Sequence, residues 1–192
     1  ELFDYQIAKN NMEALNMLNT KYFIVGANKV QVNPDANGNA WFVHGVIRVN
    51  SADEEMKTLD TLDTKQAAVV DVSSLNSAIP FPQEIDSTAS IQLTKYDVTT
   101  LEYSSNSTIA QFAVFSEIYY KEGWNAYVDG EISPHYRVNY VLRGMLVPAG
   151  KHTIVFKFEP TVIKNGNTIS ITSYFLLLLI PIAWFFIERR KS

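Results

Sequence analysis

The stretch Ala113–Glu131 reads AVFSEIYYKEGWNAYVDGE and carries three tyrosines, one tryptophan and four carboxylates in nineteen residues. Alternation from Ala113 to Tyr119 sends successive side chains to opposite faces, as in a strand that packs one face on a core. Gly123 permits a turn, and Asp129 with Gly130 forms a dipeptide typical of tight hairpins. The stretch therefore predicts two antiparallel strands and the start of a third.

The surrounding sequence repeats this pattern of short runs and turns. Alternating or aromatic-rich runs occupy 90–105, 140–149 and 151–160, and turn residues separate them at roughly ten-residue spacing. This spacing is typical of an antiparallel β-sandwich, which we place at 90–168. The Asn-Gly-Asn tripeptide at 165–167 is expected to close it.

Residues 1–75 mix helical and strand patterns, which makes the whole chain α+β. Residues 1–19 lack proline and glycine, and their apolar residues are spaced at three and four, so we expect a helix. Lys21–Gly26 reads as a buried strand. The two alternating runs within 29–50 flank a turn rich in proline, asparagine and glycine, which predicts a β-hairpin.

Two further signals complete this mixed α/β segment. Ser51 with Glu54 three residues later is the capping-box pattern of a helix start. Ala67–Val72 is a short apolar run that predicts a strand. The small polar residues and two prolines that follow indicate a linker at 76–89.

The C-terminal run 169–187 reads ISITSYFLLLLIPIAWFFI and contains no charge. As a helix it would extend roughly 28 Å, close to the thickness of a bilayer core. Tyr174 and Trp184 lie toward its ends, where amphipathic rings favour the headgroup region. Basic residues in the tail 188–192 predict a cytoplasmic C-terminus and place 1–168 on the extracytoplasmic side.

Composition excludes several classes of function. The chain has no cysteine, so disulfides, thiolate metal sites and cysteine nucleophiles are absent. Its net charge of −4, with no basic stripe, argues against binding nucleic acid. Asp35, Asn37 and Asn39 have the spacing of a calcium loop, but Val46 stands where the bidentate acid belongs. We predict no metal site, no cofactor and no catalytic residue.

The candidate site lies in the opening stretch. Aromatic faces stack on sugar C–H groups, and carboxylates accept hydrogen bonds from sugar hydroxyls. The candidate glycan-contact residues are Glu117, Tyr119, Tyr120, Trp124 and Asp129. The alternative is structural, with Trp124 closing the end of the sandwich and Asp129 shaping a turn.

The ordered set of motifs in 117–152 resembles the C-terminal region of the YfhO family of bacterial membrane proteins. It includes Glu117-x-Tyr119-Tyr120, Gly123-Trp124, Arg137-x-Asn139-Tyr140-Val141-Leu142-Arg143 and Val147-Pro148-Ala149-Gly150-Lys151-His152. The segment 18–26 is similar to a further motif of that family, so the resemblance spans about 18–160.

The resemblance implies a many-helix protein of the bacterial cytoplasmic (inner) membrane, similar to GT-C-type glycosyltransferases. Such proteins transfer a sugar from a polyprenyl-phosphate carrier to a cell-envelope glycan, with the catalytic acid in an early outer loop. Because 1–168 lacks an export signal, we expect a preceding membrane part. The expected partners are that transmembrane domain, the bilayer around 169–187, and an envelope glycan or polyprenyl-linked sugar.

Two other functions remain open from the sequence. The chain could be a membrane-anchored carbohydrate-binding or adhesion module without catalysis. It could also be a structural domain that stabilises the membrane helices.

Overall fold

The computed structural model describes residues 2–75 and 85–190. A π-helical turn at Phe3–Ile7 and a 3₁₀ turn at Val72–Ser74 accompany the regular elements. The elements are α1 Met12–Met17, β1 Tyr22–Gly26, β2 Lys29–Val32, β3 Ala40–Val43, β4 Gly45–Val49, α2 Ala52–Thr58, β5 Ala67–Asp71, β6 Ser90–Tyr96, β7 Thr100–Ser107, β8 Gln111–Ile118, β9 Trp124–Val128, β10 Glu131–Ser133, β11 Tyr136–Val138, β12 Leu142–Val147, β13 Gly150–Phe158 and α3 Thr161–Arg189.

The predicted sandwich is confirmed. One sheet has the order β10-β9-β13-β7-β6 and the other β11-β12-β8-β3, and every neighbouring pair is antiparallel. Side chains from both sheets meet in one cluster, in which Tyr103, Phe115 and Phe156 form edge-to-face ring pairs. Antiparallel sheets that share one apolar layer define this architecture.

The four-stranded sheet is buried on both faces. All residues from Gln111 to Phe115 in β8 are buried. Ala113 and Phe115 enter the sandwich cluster, whereas Phe112 and Val114 join a second cluster with residues of the N-terminal segment. The molecule therefore has three layers, with the four-stranded sheet in the middle.

The third layer is built around a parallel strand pair. Strands β4 and β5 pair in parallel and α2 connects them. The backbone N–H of Glu54 donates to Ser51 Oγ at 3.2 Å, and Glu54 Oε2 accepts from the backbone N–H of Asn50 at 2.8 Å. These bonds confirm the predicted helix start, and β5 confirms the strand predicted there.

The turn between β11 and β12 fastens this layer to the sandwich. The backbone N–H of Asn139 donates to Val69 O at 2.8 Å, and its side-chain oxygen accepts from Val69 N at 2.9 Å. Glu55, which is fully buried, accepts from Tyr140 N at 2.9 Å and lies 3.1 Å from Arg137 Nη2. Burial raises the pKa of Glu55 despite these two contacts.

The continuous helix predicted over residues 1–19 is interrupted. Asn10 has a φ of 59°, and Asn11 caps a new helix by accepting from the backbone N–H of Glu13. Asn11 Nδ2 also donates to Leu59 O at 2.8 Å. Asparagine tolerates the left-handed region and competes for backbone groups, which explains the break.

Two predictions about the next strands are wrong. Strand β2 pairs with β1, and β3 pairs with β8, so the predicted hairpin within 29–50 does not form. The strand predicted at Lys21–Gly26 exists as β1, but it is exposed, and Ile24 retains 83% of its surface. Alternation fixes which side chains share a face but does not choose the partner strand.

The C-terminal helix begins earlier than predicted. The segment Thr161–Ile182 is long and apolar enough to cross a membrane. Asn165, Gly166 and Asn167 lie inside α3, so the turn predicted there is wrong. Residues 76–84 of the predicted linker, the Trp184 side chain and residues 191–192 lie outside the described residues.

Gly144 provides a test of the tight packing within the four-stranded sheet. A Cβ at this position would lie 2.6 Å from Phe112 Cε1 and 3.0 Å from Val138 Cγ1. Because Phe112 is buried, its ring cannot move away freely. We expect Gly144→Ala to lower the free energy of unfolding by about 1–3 kcal/mol, measured by denaturant unfolding in detergent.

The matched control is Gly45→Ala, because nothing lies within 4 Å of a Cβ placed at that strand residue. Equal stability of the two variants would contradict the close packing described for β8 and β12.

Candidate functional site

The loop between β8 and β9 lies against the start of α3. Glu159 N donates to Gly123 O at 2.6 Å, and Gly123 has a φ of 121°. A Cβ on Gly123 would come within 3.0 Å of the Pro160 side chain. The residues 119–124 therefore belong to the end of the sandwich from which α3 departs, which we call the helix end.

A β-bulge shapes the last part of β8. Phe115 pairs with Arg143, but Ile118 pairs with Leu142, so two residues of β8 are accommodated between neighbouring residues of β12. One of these two is Glu117; the other, Ser116, donates through Oγ to Met17 O at 2.9 Å. Bulges change the direction of side chains and are common next to functional sites.

The buried side chains of Arg143 and Tyr103 form the inner surface of the helix end, which we call its floor. Arg143 is 2% exposed, and its guanidinium carbon lies 4.3 Å from the ring centroid of Trp124. Arg143 Nε donates to Ile118 O at 3.1 Å. Arg143 Nη1 and the hydroxyl of Tyr103 are buried and have no hydrogen-bond partner among the described residues. Unpaired buried polar groups are costly, so the burial of these two atoms lowers the stability of the fold.

Half-buried ionisable groups surround this floor. Burial raises the pKa of Glu117, although the positive charge of Arg143 acts in the opposite direction. Burial, followed by the Arg143 charge, lowers the pKa of His135 to about 4. The ring of Tyr119 lies 5.5 Å from that of His135. At neutral pH the His135 ring is therefore uncharged.

The helix end brings together most of the predicted contact residues. Glu117 and Trp124 lie beside Arg143, the ring of Tyr119 lies beside that of His135, and Tyr120 is exposed in the adjoining loop. Trp124 also contacts Phe158, with ring centroids 5.3 Å apart.

Asp129 lies apart from this group, at the far end of β9. Its Oδ2 lies 2.6 Å from His152 Nδ1, and its Oδ1 accepts from Thr153 N at 2.9 Å. The hydrogen bond with His152 holds the pKa of Asp129 below its ordinary value. These contacts tie the turn after β9 to β13. Glycan contact by any of the five residues stays a prediction.

Arg143, His135 and Tyr103 complete the site but were not singled out as site residues from the sequence. Arg143 offered one signal, since it is a charged residue inside the apolar run VLRGMLV. A charge in such a run must be paired, exposed or functional. Tyr103 reaches the site through nonlocal strand pairing, and His135 through the loop between β10 and β11; neither carries a comparable local signal.

The described residues contain no group of three or more side chains arranged to bind a metal. In the loop that resembles a calcium site, Asn37 is buried, and its Nδ2 donates to Thr64 Oγ1 at 3.0 Å. The Asn37 side chain therefore serves to fix the loop to the third layer.

Comparison with protein families identifies the chain's relatives. The family model described as bacterial membrane protein YfhO matches residues 60–170, which is more than half of the chain. The chain belongs to the YfhO family. The match includes β5, the strands from β6 to β13 and the start of α3. Membership in a membrane protein family, with the apolar α3, indicates association with a membrane.

No curated protein matches this chain, and no solved structure matches it.

The lowered pKa of His135 predicts a dependence of stability on pH. The unfolded chain takes up a proton at the ordinary His pKa of 6.5, whereas folded His135 does so only at about 4. The contribution of neutral His135 to the free energy of unfolding is therefore fully present above pH 6.5 and is lost as the pH falls toward 4. We expect His135→Gln to reduce the loss of unfolding free energy across this range.

The raised pKa of Glu117 acts in the opposite sense, so the comparison is made between variants and not on the wild type alone. The control is His44→Gln, since His44 is exposed. An identical pH profile for His135→Gln and wild type in detergent would contradict the assigned burial of His135.

Proposed function

We propose that this chain is the extracytoplasmic C-terminal domain of a multi-spanning membrane glycosyltransferase that uses a polyprenyl-phosphate-sugar donor and modifies cell-envelope glycans. The helix end contacts the glycan and assists the access of the acceptor. The observation that carries the proposal is the direct attachment of the aromatic loop to the start of α3 through Gly123 and Glu159. This attachment holds the loop where a lipid-linked sugar would meet the membrane surface.

The chemistry of the helix end suits a sugar. The ring of Trp124 and the exposed ring of Tyr120 offer apolar faces for sugar C–H groups. Glu117, which is half-buried at the surface of the site, supplies acceptor oxygens for hydroxyl groups. Such sites combine aromatic surface with a few polar groups that fix orientation.

In this proposal the reacting groups belong to the preceding membrane part of the same protein. The domain binds and positions the acceptor, and it also stabilises the membrane helices through contact. The bilayer surrounds α3, and the membrane is the bacterial cytoplasmic (inner) membrane. The family assignment supports the membrane location.

The topology follows from charge at the end of α3. Arg189 and Arg190 terminate the helix, and positive charge beside a span is retained in the cytoplasm. We expect a reporter fused after Ser192 to be active only in the cytoplasm. A reporter inserted at the exposed Ala149, at the opposite end of the sandwich, should show the reverse result. The opposite pattern for both reporters would contradict the proposed orientation.

Binding at the helix end is tested with substitutions that spare the fold. Glu117→Gln keeps the side-chain volume but removes the charge, and Tyr120→Ala removes an exposed ring. In the full-length protein we expect each to lower transfer of labelled sugar into envelope glycan about tenfold, as expected for the loss of one good polar or stacking contact of about 1.4 kcal/mol. Neither variant should change the melting temperature by more than an ordinary surface substitution does.

The control is Glu131→Gln, an exposed carboxylate at the start of β10 that pairs with Val128, at the end of β9 away from Trp124. Normal transfer by Glu117→Gln and Tyr120→Ala would contradict a role of the helix end in acceptor access. If the wild type binds glycan but transfers no sugar, and the two variants lose that binding, the result would favour the membrane-anchored carbohydrate-binding or adhesion module.

A further inference from the structure

His152 has a hydrogen-bond acceptor at each of its two ring nitrogens. Its Nδ1 lies 2.6 Å from Asp129 Oδ2, and its Nε2 lies 3.0 Å from the carbonyl oxygen of Ala149. An ionised carboxylate and a carbonyl group can only accept hydrogen bonds, so each contact requires a hydrogen on the ring nitrogen. Neutral imidazole carries one such hydrogen, and the protonated ring carries two. The two contacts together therefore fit a protonated His152 ring and neither neutral tautomer.

The two acceptors belong to different turns at the end of the sandwich opposite to the helix end. Asp129 lies in the turn between β9 and β10, and Ala149 lies in the turn between β12 and β13. In the second turn Gly150 has a φ of 120°, and a Cβ placed on it would lie 3.2 Å from His152 Nε2. A glycine at this position therefore lets the His152 ring approach the turn closely.

The turn between β9 and β10 has further bonds to β13. Asp129 N donates to Thr153 O at 2.9 Å, and Asp129 Oδ1 accepts from Thr153 N at 2.9 Å. Hydrogen bonds to a charged acceptor are stronger than those to a neutral one, so a neutral His152 ring keeps its single hydrogen on Nδ1, facing Asp129. Its Nε2 then presents a lone pair to the carbonyl oxygen of Ala149, and these two atoms repel each other. Loss of the proton therefore breaks the contact with Ala149 and preserves the contact with Asp129.

Asp129 is the charged side chain in contact with the His152 ring. Its neighbour Lys151 is exposed, and alternation along β13 directs its side chain to the opposite face of the sheet. Ser105, which pairs with His152 from β7, is uncharged, and Glu131 at the start of β10 is exposed. The hydrogen bond with Asp129, followed by that with the Ala149 carbonyl, raises the pKa of His152 above its ordinary value of 6.5.

We propose that His152 is a pH-responsive clamp, which holds the turn between β12 and β13 while its ring is protonated and releases that turn when the proton is lost. The moving part is residues 148–150, whereas the turn between β9 and β10 stays bonded to β13. The clamp does not depend on sugar transfer, because it follows from contacts within the sandwich.

The sign of the effect is opposite to that of His135. Folded His152 keeps its proton to a higher pH than the unfolded chain does. Its contribution to the free energy of unfolding is therefore fully present below pH 6.5 and is lost as the pH rises through the raised pKa of the folded state.

The test is an NMR titration of the full chain in detergent with ¹⁵N-labelled histidine, which gives few signals because the chain has three histidines. The ring ¹⁵N shifts distinguish the protonated ring from each neutral tautomer. We expect both His152 nitrogens to carry hydrogen at pH 6.5 and the titration midpoint to lie above 6.5. In Asp129→Asn the midpoint should fall toward the ordinary value, and asparagine also tolerates the φ of 51° at this position. The matched control is Glu131→Gln, which removes a nearby exposed carboxylate and should shift the midpoint less.

Release of the turn is followed in the same sample. The carbonyl ¹³C shift of Ala149 should change with the His152 midpoint, whereas the Thr153 amide should keep its protection from hydrogen exchange. A midpoint at or below 6.5, or a neutral tautomer at pH 6, would overturn the proposal, and this wild-type result decides it even where a variant fails to fold. Loss of protection at Thr153 together with the change at Ala149 would overturn the selective release of one turn.

Discussion

The arrangement of the molecule depends on one sheet that is buried on both faces. Strand β8 runs through its middle, and its residues from Gln111 to Phe115 are all buried. Alternate side chains of this strand enter different apolar clusters, so each cluster uses half of the same strand. The N-terminal segment and the sandwich therefore pack on opposite faces of the same sheet. Disturbing β8 disturbs both apolar clusters at once.

This shared sheet determines how the helix end is built. The turn between β11 and β12 bonds to Val69 and Glu55 in the third layer, which fixes the start of β12. Arg143 follows directly and is thereby held inside the sandwich. Burial of an arginine with an unused donor costs stability. Such a cost is common near functional sites, and Arg143 supports the ring of Trp124, a proposed glycan-contact residue.

Local patterns in the sequence predicted much of the fold. The strands of the sandwich follow from alternation and turn residues, and the start of α2 follows from Ser51 and Glu54, since both depend on neighbours in the chain. The wrong predictions concern partners and exposure. The pairing of β3 with β8 joins residues more than sixty positions apart, which alternation cannot specify.

In the candidate site, too, the sequence showed what depends on near neighbours and missed what depends on distant strands. Glu117, Tyr119, Tyr120 and Trp124 lie close together in the chain, so their composition was visible as a cluster, and the structure keeps them at one end of the sandwich. Asp129 is near in sequence but lies at the other end of β9, because an extended strand carries the chain about 3.3 Å per residue. Arg143, His135 and Tyr103 come from other strands.

The sequence by itself determined the antiparallel runs, the uncharged run 169–187 near the C-terminus and the excess of aromatic residues near Trp124, because each depends on composition or on near neighbours. Only the tertiary structure decided that β1 is exposed and that Arg143 is buried beside Trp124. These features arise from contacts between distant residues, whose free energy is settled by packing of the whole chain.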